Sequence, residues 1–494
     1  MPPTTNNPAS IGRWEVLPYN CPIQPLHAVL LRTNKVFFVS GSGNDPNNVN
    51  ETKGSAVWDY TKNTFFRPLT PVDADGEPFD LFCGGQSFLS DGRLLFAGGT
   101  LRYDPFEGIP ESFIFNPITQ QWTTVQSMAH GRWYPTLVTL GNGRILAVSG
   151  TDENGKLNRL PEIYAPSTGW TAFSQLTSKL ALYAHLFLLN DGKLFYSGAQ
   201  FRASNKVSPC LLTLPTDFNK PIIEQQVYGL EAPDYGDQAA SVLLPPAQDQ
   251  RVMIIGGGNG RPQLLDGSSN SAFGMATKRV NIVDLKSGNP TYKPAASLNF
   301  PRMHVNAVLL PDRTVFVCGG SQMSESGKQA TTQAEIYNPA TNIWTVVAKA
   351  SVPRLYHSVA LLLPDGRVVS TGGNPKRTVE ERRIEVYSPP YLFKGPRPVI
   401  ESALETLTYG GTIQIQTPQA QNIKWVSLIK PGATTHSCDT EQRLVDLVIT
   451  SATSTLLNVK VTNTANLAPR GWYMLFITDF KGVPSVAKWV RLLP

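Results

Sequence analysis

CGGQSFLSDGRLLFAGG, residues 83–99, holds the unit on which the whole chain is built. A short apolar run leads into a tight Asp-Gly turn. A second apolar run follows and ends on Gly-Gly. Alternation with period two and a turn that needs a left-handed residue read as a β-hairpin. Downstream, PESFIFNPITQQW (110–122) adds an acidic residue, an aromatic strand, an Asn-Pro turn and a tryptophan, enough for two more strands.

The same order returns along the chain. YPTLVTLGNGRILAVSG (134–150), YAHLFLLNDGKLFYSG (183–198), HVNAVLLPDRTVFVCGG (304–320) and YHSVALLLPDGRVVSTGG (356–373) repeat the hairpin. PEIYAPSTGW (161–170), AEIYNPATNIW (334–344) and IEVYSPPYL (384–392) repeat the outer part. Weaker copies start at His27 and Asp237, the second with a long insertion around Ser268 to Met275. Seven copies lie between Leu26 and Leu392. Their spacing of about 50 residues is the kelch period. One such four-stranded unit cannot bury both faces, whereas radial packing of seven does so and protects the edges.

After Leu392 the repeat stops. FKGPRPVI (393–400) reads as a linker. The rest carries short alternating runs, TIQIQTP, KWVSLIKPG, RLVDLVIT, LLNVKVTN, GWYMLFITD and AKWVRLLP, the number and length of strands of an immunoglobulin-like sandwich. The expected fold is therefore all-β: a seven-bladed kelch-type β-propeller over 26–393 and a C-terminal immunoglobulin-like β-sandwich domain over 394–494. Residues 1–25 are expected to pack on the propeller or supply its closing strand.

Composition narrows the function classes. Among 494 residues, charged types make up only 16% and the net charge is +6, without a Lys/Arg block, so no nucleic-acid partner is expected. The densest basic stretch, Lys376–Arg383, contains two Glu and reads as a solvated loop. No run reaches the ~18 apolar residues of a membrane helix. MPPTTNNPAS lacks both the charged and the apolar region of a leader. The five cysteines form no CxxC pair and read mostly as buried small hydrophobes. GGGNG (256–260) lacks the strand–helix context of a dinucleotide fingerprint and reads as a blade turn.

Propellers line their channel with the first strand of each blade. Counting back eight positions from the turn Asp/Asn gives Cys83, Tyr134 and Tyr183. With the extra Pro in two turns, the same level holds Met303/His304 and Tyr356/His357, and the first blade offers Leu26/His27. Adjacent strand residues point to opposite faces, so the Tyr-His pair requires an irregular strand start. Imidazole and phenolate donors together suit Cu(II), whereas a zinc site would want denser Cys/His clustering. On the residues alone a non-catalytic kelch binding protein stays open.

Four separated motifs then carry a resemblance. DLFCGG (80–85), GRWYPT (131–136), RLYHS (354–358) and THSCDTEQR (435–443) resemble, in order and in the right blades, the motifs of the copper radical oxidases, the galactose oxidase/glyoxal oxidase family. RWYPT with THS…QR is closer to the glyoxal oxidase branch, and GVPSVAKWVRL (482–492) is similar to the family's terminal strand. The resemblance implies a thioether between Cys83 and Tyr134 that carries a radical. It implies copper held by Tyr134, Tyr356, His357 and His436, with the last ligand reaching the channel from the C-terminal domain. It implies Tyr356 as general base and Cys83, Tyr134 and Tyr356 as the catalytic set. The implied reaction takes a small aldehyde of the glyoxal or methylglyoxal type, or a primary alcohol, and O2, and releases H2O2. A copper-binding relative without the radical is the other reading of the same residues. A monomer is expected, and the resemblance implies export to the cell envelope or beyond. Two features depart from galactose oxidase: GTDENG (150–155) lacks the tryptophan that stacks there over the linked tyrosine, and no sugar-binding arginine stands near Lys179.

Overall fold

The computed structural model describes residues 7–41, 54–103, 106–174, 176–199, 208–231, 236–258, 276–322, 329–375 and 379–493. The insertion 268–275, the end of GGGNG and the start of the basic stretch at 376–378 lie outside these residues. Within that stretch, Glu380 pairs with Arg382 and Glu381 with Arg383.

Among the described residues, seven four-stranded antiparallel units follow the seven sequence copies. In the second, the strands are Gly85–Phe88, Leu94–Ala97, Ser112–Asn116 and Gln121–Val125, ordered from the channel outward. The third runs Thr136–Thr139, Ile145–Val148, Glu162–Ala165 and Gly169–Ala172. Burial runs along this same direction: inner strands such as Ser358–Leu362 are buried throughout, and outer strands such as Gln121–Val125 are half-exposed. Neighbouring blades pack through aromatic stacks. Phe37 lies on Phe115 at 4.1 Å, and Phe316 on Tyr387 at 4.5 Å.

The last blade takes its outer strand from the other end of the chain. Arg13–Asn20 pairs antiparallel with Arg383–Ser388, which covers that edge.

The Gly-Gly of the repeat has a steric cause. A side chain on Gly98 would meet the Arg132 carbonyl oxygen at 2.2 Å, and one on Gly256 would meet that of Arg302 at 2.4 Å. The following residue donates to the same carbonyl, Gly99 to Arg132 at 3.0 Å and Gly257 to Arg302 at 2.9 Å. Each Gly-Gly thus lets the next blade pass close to the end of the second strand. The arginines are themselves anchored. Arg132, Arg302 and Arg354 are buried and pair with Glu162, Glu335 and Glu385, the acidic residues of the outer repeat.

The C-terminal strands form a sandwich in the order Ser402–Ala403, Thr412–Gln416, Leu456–Lys460, Arg443–Ala452, Ile423–Lys430, Gly471–Asp479, Lys488–Leu493 and Thr406–Thr408. Between Ile423–Lys430 and Arg443–Ala452 a finger leaves this domain. Its strands, Ala433–Thr435 and Cys438–Asp439, join the sheet of the first blade, with Thr435 opposite His27.

Candidate metal centre

The inner strands begin on left-handed backbone. Cys83, Tyr134, Tyr183, Gln238, His304 and His357 have φ between 43° and 68°. Non-glycine residues rarely adopt this conformation, and it collects at functional sites. In five blades the left-handed residue is the one eight positions before the turn Asp/Asn. The kink also answers the facing problem of the Tyr-His pair: the rings of Tyr356 and His357 stack at 3.6 Å instead of diverging. Consecutive ring members are joined through the backbone. Tyr134 donates to the Cys83 carbonyl at 2.8 Å, Tyr183 to Tyr134 at 3.0 Å and His304 to Gln238 at 2.9 Å.

The finger places His436 at its tip. His436 and Ser437 are the two turn residues, with φ of 49° and 65°. Such a turn favours Asn-Gly, so a histidine there is held against its preference. The tip enters the channel end, and all five residues singled out in the sequence meet there. Tyr134 and Tyr356 hydroxyls are 2.6 Å apart. His436 Nε2 lies 3.1 Å from the Tyr134 hydroxyl and 3.8 Å from Cys83 Sγ. Ligand atoms of Cys83, His357 and His436 fall within 4.8 Å of one another, all buried.

Hydrogen bonds define which nitrogen each imidazole offers. The Thr435 hydroxyl donates its one proton to the Leu26 carbonyl at 2.9 Å, so at 2.6 Å it accepts from His436 Nδ1–H. Nε2 of His436 therefore carries a lone pair. Asn374 Oδ1 accepts from His357 Nδ1–H at 2.5 Å, while its amide donates to the Val379 carbonyl. Among the described residues, His357 Nε2 is buried without a hydrogen-bond partner. A ring N–H fixed by an outer acceptor is the usual way to orient a metal-binding histidine. Burial pulls the His357 imidazole down to about 3 and His436 well below its usual value, with His357 adding to the shift on His436. Both are neutral, the form that binds a metal. Two nitrogen lone pairs and two phenol oxygens in one dry cluster fit a Cu(II) ion. Burial raises the Cys83 thiol and the Tyr134 phenol well above their usual values.

Sequence reading missed what surrounds Tyr134. Trp133 stacks on one face at 3.7 Å and 9°, and Phe106 stacks on Trp133 at 4.2 Å. Tyr183 covers Tyr134 at 4.6 Å, its hydroxyl donating to the Gly84 carbonyl at 2.8 Å. GTDENG supplies no tryptophan here; the one stacked on Tyr134 is Trp133, the residue just before it. Its position in GRWYPT was the available signal, although neighbours in a regular strand would face apart. Cys438 is a buried free thiol, like the other four cysteines.

A family profile described as "Glyoxal oxidase N-terminus" matches residues 44–391, and one described as "Galactose oxidase-like, Early set domain" matches 397–492. The chain belongs to the glyoxal oxidase family of copper radical oxidases. A galactose oxidase of Gibberella zeae is 27% identical over 98% of this chain and 71% of its own length. An aldehyde oxidase GLOX of Vitis pseudoreticulata is 27% identical over 98% and 97%. A fungal alcohol oxidase solved in complex with copper superposes with a TM-score of 0.81 at 22% identity, covering 98% of this chain and 100% of its own; it shares the fold. No helix among the described residues is long and apolar enough to cross a membrane.

Proposed function

We propose that this protein is a copper radical oxidase that oxidises a small aldehyde of the glyoxal or methylglyoxal type, or a primary alcohol, and reduces O2 to H2O2. One observation carries the reading: two neutral imidazoles, two phenols and a thiol converge at one buried end of the channel. In this reading Tyr134, Tyr356, His357 and His436 hold the copper. The propeller spans 26–393 and the sandwich, which lends His436, spans 394–494.

Copper held there would supply a one-electron couple and acidify an oxygen bound to it. The chain does the rest. Tyr356 takes the hydroxyl proton of the alcohol or aldehyde hydrate. Tyr134, once bonded through its ring to Cys83 Sγ, would supply the radical chemistry that removes the hydrogen from the neighbouring carbon. Forming the thioether removes one hydrogen from the thiol and one from the ring, and O2 accepts them. Each turnover takes two electrons and two protons from the substrate, and O2 carries both away as H2O2. Trp133 and Tyr183 on the ring of Tyr134 shield it from water and from other reductants.

Intact and peptide mass spectrometry before and after aerobic copper loading tests this. A linked peptide joining Cys83 to Tyr134, lighter by two hydrogens, is expected, with peroxide release on glyoxal or an alcohol. Cys83→Ser should abolish the linked peptide and the peroxide while leaving the fold intact. Unchanged peroxide output in that variant would refute the thioether.

A further inference from the structure

The finger that presents His436 needs a stop that sets how far it enters the channel. Several neutral contacts hold its sides. Gln86 donates to the Thr434 carbonyl at 3.0 Å, Thr440 to the Leu137 carbonyl at 2.7 Å, and Gln442 to the Ala307 carbonyl at 2.8 Å. One contact is of another kind. The carboxylate of Glu441, five residues after His436, is buried against the buried ammonium of Lys430. Its other oxygen accepts the hydroxyl protons of Ser87 and of Thr139, the latter at 2.7 Å.

Those two hydroxyls are not arbitrary. Ser87 lies on the inner strand that starts just after Cys83, and Thr139 on the one that starts just after Tyr134. The two hydroxyl oxygens lie 2.8 Å apart across the two blades, both turned to the same carboxylate oxygen. A single carboxylate therefore touches the strand of the thiol, the strand of the phenol and the finger of the imidazole. At about 3.3 Å per residue, it sits roughly 13–16 Å along the channel from the level of Cys83 and Tyr134. Placing a charge there is costly unless it is paired and fully hydrogen-bonded. The Lys430 ammonium pairs the charge and two hydroxyls hydrogen-bond one of its oxygens, and charge-assisted bonds are shorter and more directional than neutral ones.

We propose that Glu441 is a positioning residue: gripped by Ser87 and Thr139 and neutralised by Lys430, its carboxylate sets the register of the His436 finger against the strands beginning at Cys83 and Tyr134. This rests on the reading that those residues form the metal centre. Glu441 touches neither metal nor substrate and acts through the finger.

The test uses the full chain and two independent variants. Ser87→Ala/Thr139→Val removes the grip but keeps the ion pair; Glu441→Gln keeps the shape but removes the charge. Amide hydrogen exchange of the finger, 433–442, is measured in the metal-free protein. The Cu(II) dissociation constant and electron paramagnetic resonance spectrum are measured after loading. Both variants should fold cooperatively. Finger exchange should rise at least about tenfold relative to the other inner strands. Copper should bind about 10–100-fold more weakly with an altered spectrum. If either variant merely lowers the melting temperature, with finger exchange and copper spectrum as in the wild type, Glu441 is only structural and the proposal is overturned. Should Glu441→Gln fail to fold, the hydroxyl pair decides. If the wild type binds no copper, the functional reading fails, and finger exchange still decides whether the grip exists.

Discussion

Thr435 has one hydroxyl proton and two hydrogen-bond partners, and that count sets the tautomer of His436. Replacing it with isosteric valine removes the hydroxyl that accepts from His436 Nδ1–H, at a cost of about 1–3 kcal/mol. The imidazole is then free to turn or to change tautomer. Thr435→Val should lower stability by that amount in a denaturant titration and weaken copper binding about 10–100-fold in a competition assay. Unchanged copper affinity would mean that the finger backbone alone orients the ring. At this scale, counting back from the turns singled out Cys83, Tyr134, Tyr356 and His357, whereas His436 was picked out only by the resemblance of its motif; the structure brings all five together. The stacking of Trp133 was not legible, because it depends on the left-handed turn at Tyr134, whereas neighbours in a regular strand would face apart.

The blades were legible as elements because their causes are local: period-two alternation, Asp-Gly turns and Gly-Gly stops. The reason for the conserved order of parts within each unit emerges from the packing. In the sixth blade, Arg302 donates to the Gly319 and Gln333 carbonyls and to Glu335, and it stands two residues before His304. The pair thus ties the start of an inner strand to its own third strand. Glu335→Ala leaves a buried guanidinium uncompensated, and removing one member of a buried pair costs about 3–5 kcal/mol. Chemical denaturation should show that loss. A loss below about 1 kcal/mol, the range of a surface pair, would show that water reaches Arg302 and that the blade is less tightly closed than described.

At the scale of the molecule, closure and burial have a common consequence in pH. Burial lowers His27, His185 and His304 to about 3, against an ordinary value near 6.5. Unfolding returns them to the ordinary value. Between about pH 6.5 and 3 the unfolded chain therefore binds more protons than the folded one, and stability falls as pH drops through that window. Asp439, raised by burial to about 6, and Asp312 and Asp446, also raised by burial, work in the opposite sense, while the hydrogen-bonded carboxyls of Asp59, Glu153, Glu381 and Glu441 are held low and add to the fall. Metal-free protein should accordingly show a lower denaturation midpoint at about pH 5 than at about pH 7.5. An equal or higher midpoint at the lower pH would mean that these histidines are already protonated in the fold.

Repeat number, blade content, the sandwich and the motifs of the site all follow from patterns written within short windows of chain, where hydrophobic period and turn chemistry act directly. Three features join separate segments, two of them hundreds of residues apart and the third drawn from neighbouring blades. The edge of the last blade is covered by Arg13–Asn20, His436 reaches the channel on a finger paired with the first blade, and Tyr134 lies between Trp133 and Tyr183 from different blades. Local sequence carries no energy for such contacts. They exist only once the propeller has closed, when burial makes every unpaired edge, imidazole and carboxylate costly unless a distant partner meets it.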